Sequence, residues 1–139
     1  SGATAARYFL ERNKPLLEAG GDGPVISFSH FLPRRELIFP TVEELQAMGF
    51  PLKDPQPKFN FSRVAGCTGL DRQIRRLGSV LHVYGHQHRN RVRQIDGVTY
   101  VSHCLGYPRE RAEGRISKSL CEPLLVWDTD ADGPAAAVT

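Results

Sequence analysis

The 139-residue chain lacks most of the features that mark a specialised class. It has three cysteines, Cys67, Cys104 and Cys121, an odd number with no CxxC spacing. That excludes a fully paired disulfide framework within the chain and a cysteine-based zinc ribbon. Unspaced thiols suit a reducing compartment, so the expected location is the cytoplasm. No apolar run approaches the roughly 20 residues needed to span a bilayer, and no membrane is expected as a partner. The opening stretch SGATAARYFLERNKP holds no continuous apolar segment of the secretory kind. Charge of one sign is not in large excess either. The formal net charge is +3, which admits an anionic substrate but falls short of a nucleic-acid footprint. Arg72, Arg75, Arg76, Arg89, Arg91 and Arg93 are the basic residues such binding would need, and nucleic acid is not an expected partner. No internal repeat and no domain boundary is visible.

What is present is the composition of an ordinary folded domain. The chain is 40% hydrophobic and 24% charged, enough to build one core. Tyr8, Phe9, Leu10, Leu16 and Leu17 recur at near-helical spacing between Ala5 and Leu17, interrupted by Pro15. Val25 to Phe31 reads as a short buried strand that ends in a histidine. Residues 32–60 carry Pro33, Pro40, Pro51, Pro55 and Pro57 and read as a long loop bordering a cleft, with one or two helical turns capped by Thr41 and Glu44. GLDRQIRRL, residues 69–77, is amphipathic, with Leu70, Ile74 and Leu77 inward and Arg72, Arg75 and Arg76 outward. Val80 to Tyr84 is a second strand. Arg91–Ile95 and Val98–Val101 flank Asp96-Gly97, the preferred pair for a type I′ hairpin turn. Residues 123–127 predict a last strand, and 129–139 a flexible tail. The elements predict an α/β fold.

The densest chemistry lies in Val83-Tyr84-Gly85-His86-Gln87-His88. In an extended backbone the side chains at i and i+2 share a side, so His86 and His88 are expected to point into one site with Gln87 pointing away. Gly85 is expected to supply the sharp turn before them. Imidazole is the commonest metal ligand near neutral pH, although an HxH alone does not specify a metal site. His30 and the His86/His88 pair each follow a strand, and α/β sheets place ligands at the carboxyl ends of their strands. If the strands are neighbours, the three imidazoles converge. His82, inside its strand, reads as a packed, hydrogen-bonded histidine. His103 is a candidate supporting residue. The charges of Tyr107-Pro108-Arg109-Glu110-Arg111 read as a structural salt-bridge cluster.

Ser29-His30-Phe31-Leu32-Pro33, followed by Val83-Tyr84-Gly85-His86-Gln87-His88, resembles the last two motifs of the calcineurin-like metallophosphoesterase superfamily. The segment from Leu70 onward, with LDRQIRRL, HVYGHQH, the DGVTYV hairpin and LGYPRER, is similar to one branch of it. The resemblance covers residues 25–128. It implies an α/β sandwich whose mixed sheet is flanked by helices and which holds two divalent metal ions sharing a bridging carboxylate and water. Such ions lie about 3.5–4 Å apart, clamp a phosphate and generate hydroxide for in-line attack. Carried over residue by residue, His30 and His86 would ligate the second metal and His88 the first. Imidazole and carboxylate ligands suit Mn, Fe, Zn or Ni. Arg34 and Arg89, close to these histidines in sequence, are candidate phosphate contacts. The implied substrate is a phosphomonoester or phosphodiester.

The departures from the superfamily pattern are equally specific. Its DxH, GDxxD and GNH(D/E) motifs are absent. Gly21-Asp22-Gly23-Pro24 lacks a second acid, and neither Asn60 nor Asn90 precedes a histidine. The residues that would bridge the ions and protonate the leaving group therefore have no counterpart, and no catalytic residue is assigned. The expectation is a partial domain, the C-terminal half of the sandwich, whose site is completed by an N-terminal half or a partner chain, and which is inactive by itself. The alternative is a non-catalytic scaffold or interaction subunit that retains the fold.

Overall fold

The computed structural model describes residues 4–18, 22–47, 61–116 and 122–135. Four strands form one mixed sheet in the order β1-β2-β4-β3. They are β1 (Val25–Ser29), β2 (Ser79–Tyr84), β3 (Arg91–Ile95) and β4 (Val98–Ser102). β2 runs parallel to both β1 and β4, while β3 and β4 form an antiparallel hairpin. Parallel neighbours cannot be joined by a tight turn. The long connection from β1 to β2 carries α2 (Val42–Ala47) and α3 (Thr68–Arg76). Helix α1 (Ala5–Asn13) gives way at Pro15 to a 3-10 turn over Lys14–Glu18. Its last turn meets α3 through Asn13 Nδ2, which donates to Gln73 Oε1 at 3.0 Å. The expected mixed sheet with flanking helices is the architecture observed.

Register decides what each face carries. Ser27, His82 and Tyr100 are successive partners across β1, β2 and β4 and share one face. On that face Leu32, Leu37, Ile38, Ala65, Ile74, Tyr84, Val98 and Tyr100 form the main core. Ile74 is the inward residue of α3, as its periodicity predicts. The opposite face carries Leu81 and Val101 under Leu124 and Val126. β1 is the outermost strand, and on this second face its Phe28 is 86% exposed and Ile26 is exposed as well.

Two glycines are required by geometry. Gly97 has φ +80 and Asp96 φ +48, the left-handed pair of the expected hairpin turn. Gly66 pairs in parallel with Leu32. A Cβ there would lie 2.0 Å from the Leu32 carbonyl oxygen, so only glycine permits the approach.

The C-terminal segment departs from the expected strand. In place of a strand over 123–127, only Trp127–Asp128 pairs, with Gly133–Pro134, across a turn that brings the chain back to bury Ala135. Pro123 offers no amide to a ladder, and Leu124 and Val126 are used as a cover for the sheet. Residues 136–139, like 48–60 of the long loop and Cys121, lie outside the described residues.

Candidate metal centre

β1 and β2 are neighbours, so their carboxyl ends deliver His30 and Gly85-His86-Gln87-His88 to the same edge of the sheet. The Gly85 amide donates to the His30 carbonyl at 3.1 Å and ties the two ends together. Beyond Gly85 the chain is not extended. His86 has φ +69 and His88 φ +52, and the Gln87 amide donates to the Gly85 carbonyl at 2.8 Å across a three-residue turn. The sharp turn therefore falls on the histidines and not on Gly85. Positive φ costs a non-glycine residue roughly 1–3 kcal/mol and persists where its surroundings over-determine it. Those surroundings are visible here: Gln87 Nε2 donates to the Ile38 carbonyl at 2.7 Å and anchors the middle of the turn.

The turn sends the two imidazoles to different partners. His86 Nδ1 lies 3.1 Å from His30 Nε2. Its ring stacks on Phe61 at 5.3 Å between centroids and packs against Phe31 at 5.0 Å. Burial in this aromatic setting lowers the His86 pKa, and His30 beside it pushes the same way. The imidazole is thereby kept neutral, the form that donates a lone pair to a metal. His88 turns instead to Glu110. Its Nδ1 lies 2.9 Å from Glu110 Oε2 and 3.2 Å from Oε1. Among the described residues, no three His, Cys, Asp or Glu side chains stand close enough to hold one metal ion. The three histidines thus form two places, a pair at His30 and His86 and a separate imidazole at His88.

The donor set can be tested against a metal ion. Two imidazoles bound to one tetrahedral ion at about 2.0–2.1 Å place their nitrogens roughly 3.3 Å apart. The His30–His86 separation of 3.1 Å is compatible with that. His86 Nε2 is buried with no hydrogen bond of ordinary geometry among the described residues. With Nδ1 facing His30, it is the nitrogen that would carry the ring proton, towards the Val64 backbone, which acts on the ring as an acceptor. The pair fits one side of a coordination shell. No carboxylate of the described residues joins it.

Below the pair runs a directional hydrogen-bond chain. Ser29 donates its only hydroxyl proton to the Phe31 carbonyl at 2.6 Å. His82 Nε2, 3.0 Å from Ser29 Oγ, must therefore be the donor in that contact. His82 Nδ1 is left to accept from Ser27 Oγ at 2.7 Å, and Ser27 Oγ lies 2.7 Å from Ser79 Oγ, whose hydroxyl also reaches the Leu81 carbonyl at 2.8 Å. Burial pushes the His82 pKa down to about 4, although Asp71 opposes the shift. His82 is the packed, hydrogen-bonded histidine its position suggests. It braces the Ser29–Phe31 bend that carries His30.

Arg34 and Arg89 occupy different settings. Arg34 binds Glu36 at 2.7 Å, Asp96 at 3.0 Å and Asp71 at 3.3 Å. Arg75 joins the same carboxylates at 3.0 Å to Asp71 and 3.2 Å to Asp96, so it is no solvent-facing arginine. Tyr100 donates its hydroxyl to Asp71, and burial, with Asp71 adding to it, pushes the phenol up to about 12. Arg89 is exposed and follows His88 directly. Arg91 and Arg93 donate to carbonyls of the 36–39 loop, Arg91 to Leu37 at 2.7 Å and Arg93 to Phe39 at 2.9 Å. His103 Nε2 donates to the Glu122 carbonyl at 2.9 Å, pinning the C-terminal segment and not the site.

Sequence reasoning missed Phe31, Phe61 and Glu110. Phe31 is adjacent to His30, but nothing in the pattern around Phe61 points to His86. Among the described residues no arginine pairs directly with Glu110, although the Arg115 charge acts on it: Arg109 pairs with Glu113 at 2.6 Å, and Arg111 donates to the Leu105 and Gly106 carbonyls. The Tyr107 amide and His88 hold the Glu110 carboxyl below the usual carboxylate range.

No protein-family model matches the sequence, and no curated protein matches it. Among solved structures the chain is similar to the crystal structure of the phosphopantetheinyl hydrolase from Mycobacterium tuberculosis. The TM-score is 0.56 with 28% sequence identity, over 80% of this chain and 34% of that one. The chain thus spans about a third of that hydrolase's length.

Proposed function

We propose that this chain is part of a hydrolase of phosphoric esters, acting on a phosphomonoester or phosphodiester with two divalent metal ions. The observation that carries the reading is the His30–His86 pair at 3.1 Å, built where two parallel strands end. The likeness to a phosphopantetheinyl hydrolase supports the reaction class. In this reading His30 and His86 hold one ion and His88 the other. Mn, Fe, Zn and Ni all accept imidazole nitrogen. Bound ions would supply Lewis-acid polarisation of the phosphoryl oxygen and a strong nucleophile at neutral pH. The side chains of this chain bind and orient. Phe31 and Phe61 pack on the His86 ring, whose burial lowers its pKa, and the His82–Ser29 contact fixes the bend that carries His30. Arg89, exposed beside His88, is better placed to meet a phosphate oxygen than Arg34, whose guanidinium already serves three carboxylates.

The remaining ligands would come from an N-terminal half of the fold or from a partner chain. The uncovered face of β1, with Phe28 and Ile26 exposed, supports an added layer or strand there. The free thiols of Cys67 and Cys104 support a reducing, cytoplasmic setting. No described helix is long and apolar enough to cross a membrane.

The test uses the natural-length polypeptide that carries this sequence. Metal-depleted protein reloaded with Mn²⁺ or Zn²⁺ should hold close to two ions and turn over p-nitrophenyl phosphate or its bis-ester. His86→Ala should lower turnover by at least about 100-fold, the upper end of what even outer-shell partners cost. A protein that binds no metal, or an unimpaired His86→Ala variant, would remove the reading.

A further inference from the structure

We infer that Glu110 is a positioning residue for His88, fixing its ring so that Nδ1 carries the proton and Nε2 is the nitrogen presented to a ligand. The inference rests on the metal-dependent reading for what Nε2 binds, but the orientation stands on geometry alone. His88 Nδ1 faces both carboxylate oxygens, at 2.9 and 3.2 Å. A carboxylate only accepts, so the proton in this contact is on Nδ1. Glu110 is itself held from behind, because the Tyr107 amide donates to its Oε2 at 2.7 Å across the first turn of α4 (Pro108–Ala112). The Tyr107 ring lies against the His88 ring at 4.9 Å between centroids. Gly106, at φ +64, brings this turn in close. A Cβ there would lie 2.2 Å from Ile116 Cδ1 and 3.1 Å from Glu110 Oε2.

These contacts restrain each freedom that His88 has. The left-handed backbone sets the direction of its Cβ, Tyr107 limits ring rotation, and Glu110 selects the tautomer. A carboxylate hydrogen-bonded to a metal-ligating histidine does two things: it orients the ring and raises the basicity of the opposite nitrogen. Among the described residues no carboxylate reaches His86 in this way, and its Nδ1 faces a second imidazole. The two histidines of the turn are therefore prepared by different means, one by aromatic burial and one by a carboxylate.

The experiment reads the tautomer directly. Two-bond ¹H–¹⁵N correlation spectra of the metal-free, natural-length protein near pH 8 should show His88 protonated at Nδ1. Glu110→Gln should keep that pattern, because one amide oxygen in the place of Oε2 can accept from both His88 and the Tyr107 amide. Glu110→Ala should release His88 to a mixture of tautomers. In metal titrations Glu110→Ala should weaken the His88 site roughly 10–100-fold, with Glu110→Gln close to wild type. An Nε2-protonated His88 in the wild type, or an unchanged tautomer in Glu110→Ala, overturns the inference. So does a Glu110→Gln variant that keeps the tautomer but loses the metal, since Glu110 would then be a ligand itself. If Glu110→Ala does not fold, the wild-type and Glu110→Gln spectra still decide. A wild type with the expected tautomer and no metal affinity would remove the metal-dependent reading and leave the positioning role intact.

Discussion

At the scale of single residues, His82 is the group whose ionisation the fold opposes most visibly. It is 1% exposed, and burial holds its pKa near 4, against 6.5 for a free histidine. Between those values the unfolded chain binds the proton and the folded chain does not. Stability is therefore complete above pH 6.5 and is lost as pH falls toward 4. A shift of this size is worth about 3 kcal/mol. Denaturation at a series of pH values should show wild-type stability dropping more steeply over that window than His82→Gln, which has no such proton to bind. Parallel curves for the two proteins would assign the acid sensitivity elsewhere. The other polar cluster, Arg34, Arg75, Asp71, Asp96 and Tyr100, works differently, because its charges are paired with one another.

At the scale of elements, the two crossings that fix the candidate centre are made by backbone. One is the Gly85 amide on the His30 carbonyl; the other is the contact of Gly66 with Leu32, which anchors the segment leaving His30. Gly66→Ala would force a carbon onto a carbonyl that has no soft side chain to yield. The expected loss is about 3 kcal/mol or more, beyond the ordinary range for a surface change. Gly97→Ala meets nothing within 4 Å and carries only the cost of its left-handed φ, roughly 1–2 kcal/mol. Thermal or denaturant unfolding of the two variants should rank them in that order. Equal losses would mean that the Leu32 approach relaxes easily. The hairpin was legible because Asp-Gly between alternating residues leaves few other conformations. The Gly66 contact was not legible, since its partner lies 34 residues earlier in the chain.

At the scale of the whole molecule, the sheet has one well-covered face and one that is covered only in part. Leu124 and Val126 shield Leu81 and Val101, while Phe28 remains 86% exposed. Fully burying a phenylalanine is worth about 1.5–3 kcal/mol. If further chain packs on β1, Phe28→Asp should destabilise the natural-length protein by that amount or more. In residues 1–139 expressed alone, the same change should cost under about 0.5 kcal/mol and raise the monomer fraction in size-exclusion chromatography with light scattering. A natural-length protein indifferent to the substitution would show that nothing covers this face.

The division between sequence and tertiary structure follows the range of the interactions concerned. Sequence by itself determined α3, β1, β2 and the β3–β4 hairpin, because hydrophobic period and turn chemistry act within a few residues. That His30 and His86 meet was expected only if their strands are neighbours, and the sheet order supplies that condition. Tertiary structure alone decided how the histidines divide. An extended His86-Gln87-His88 would have aimed both rings one way, but the left-handed turn sends one to His30 and the other to Glu110. It also decided that Arg34 and Arg75 share Asp71 and Asp96, and that Phe61 closes over His86. Those partners come from separate elements, and no local pattern in a single sequence encodes a distance between them.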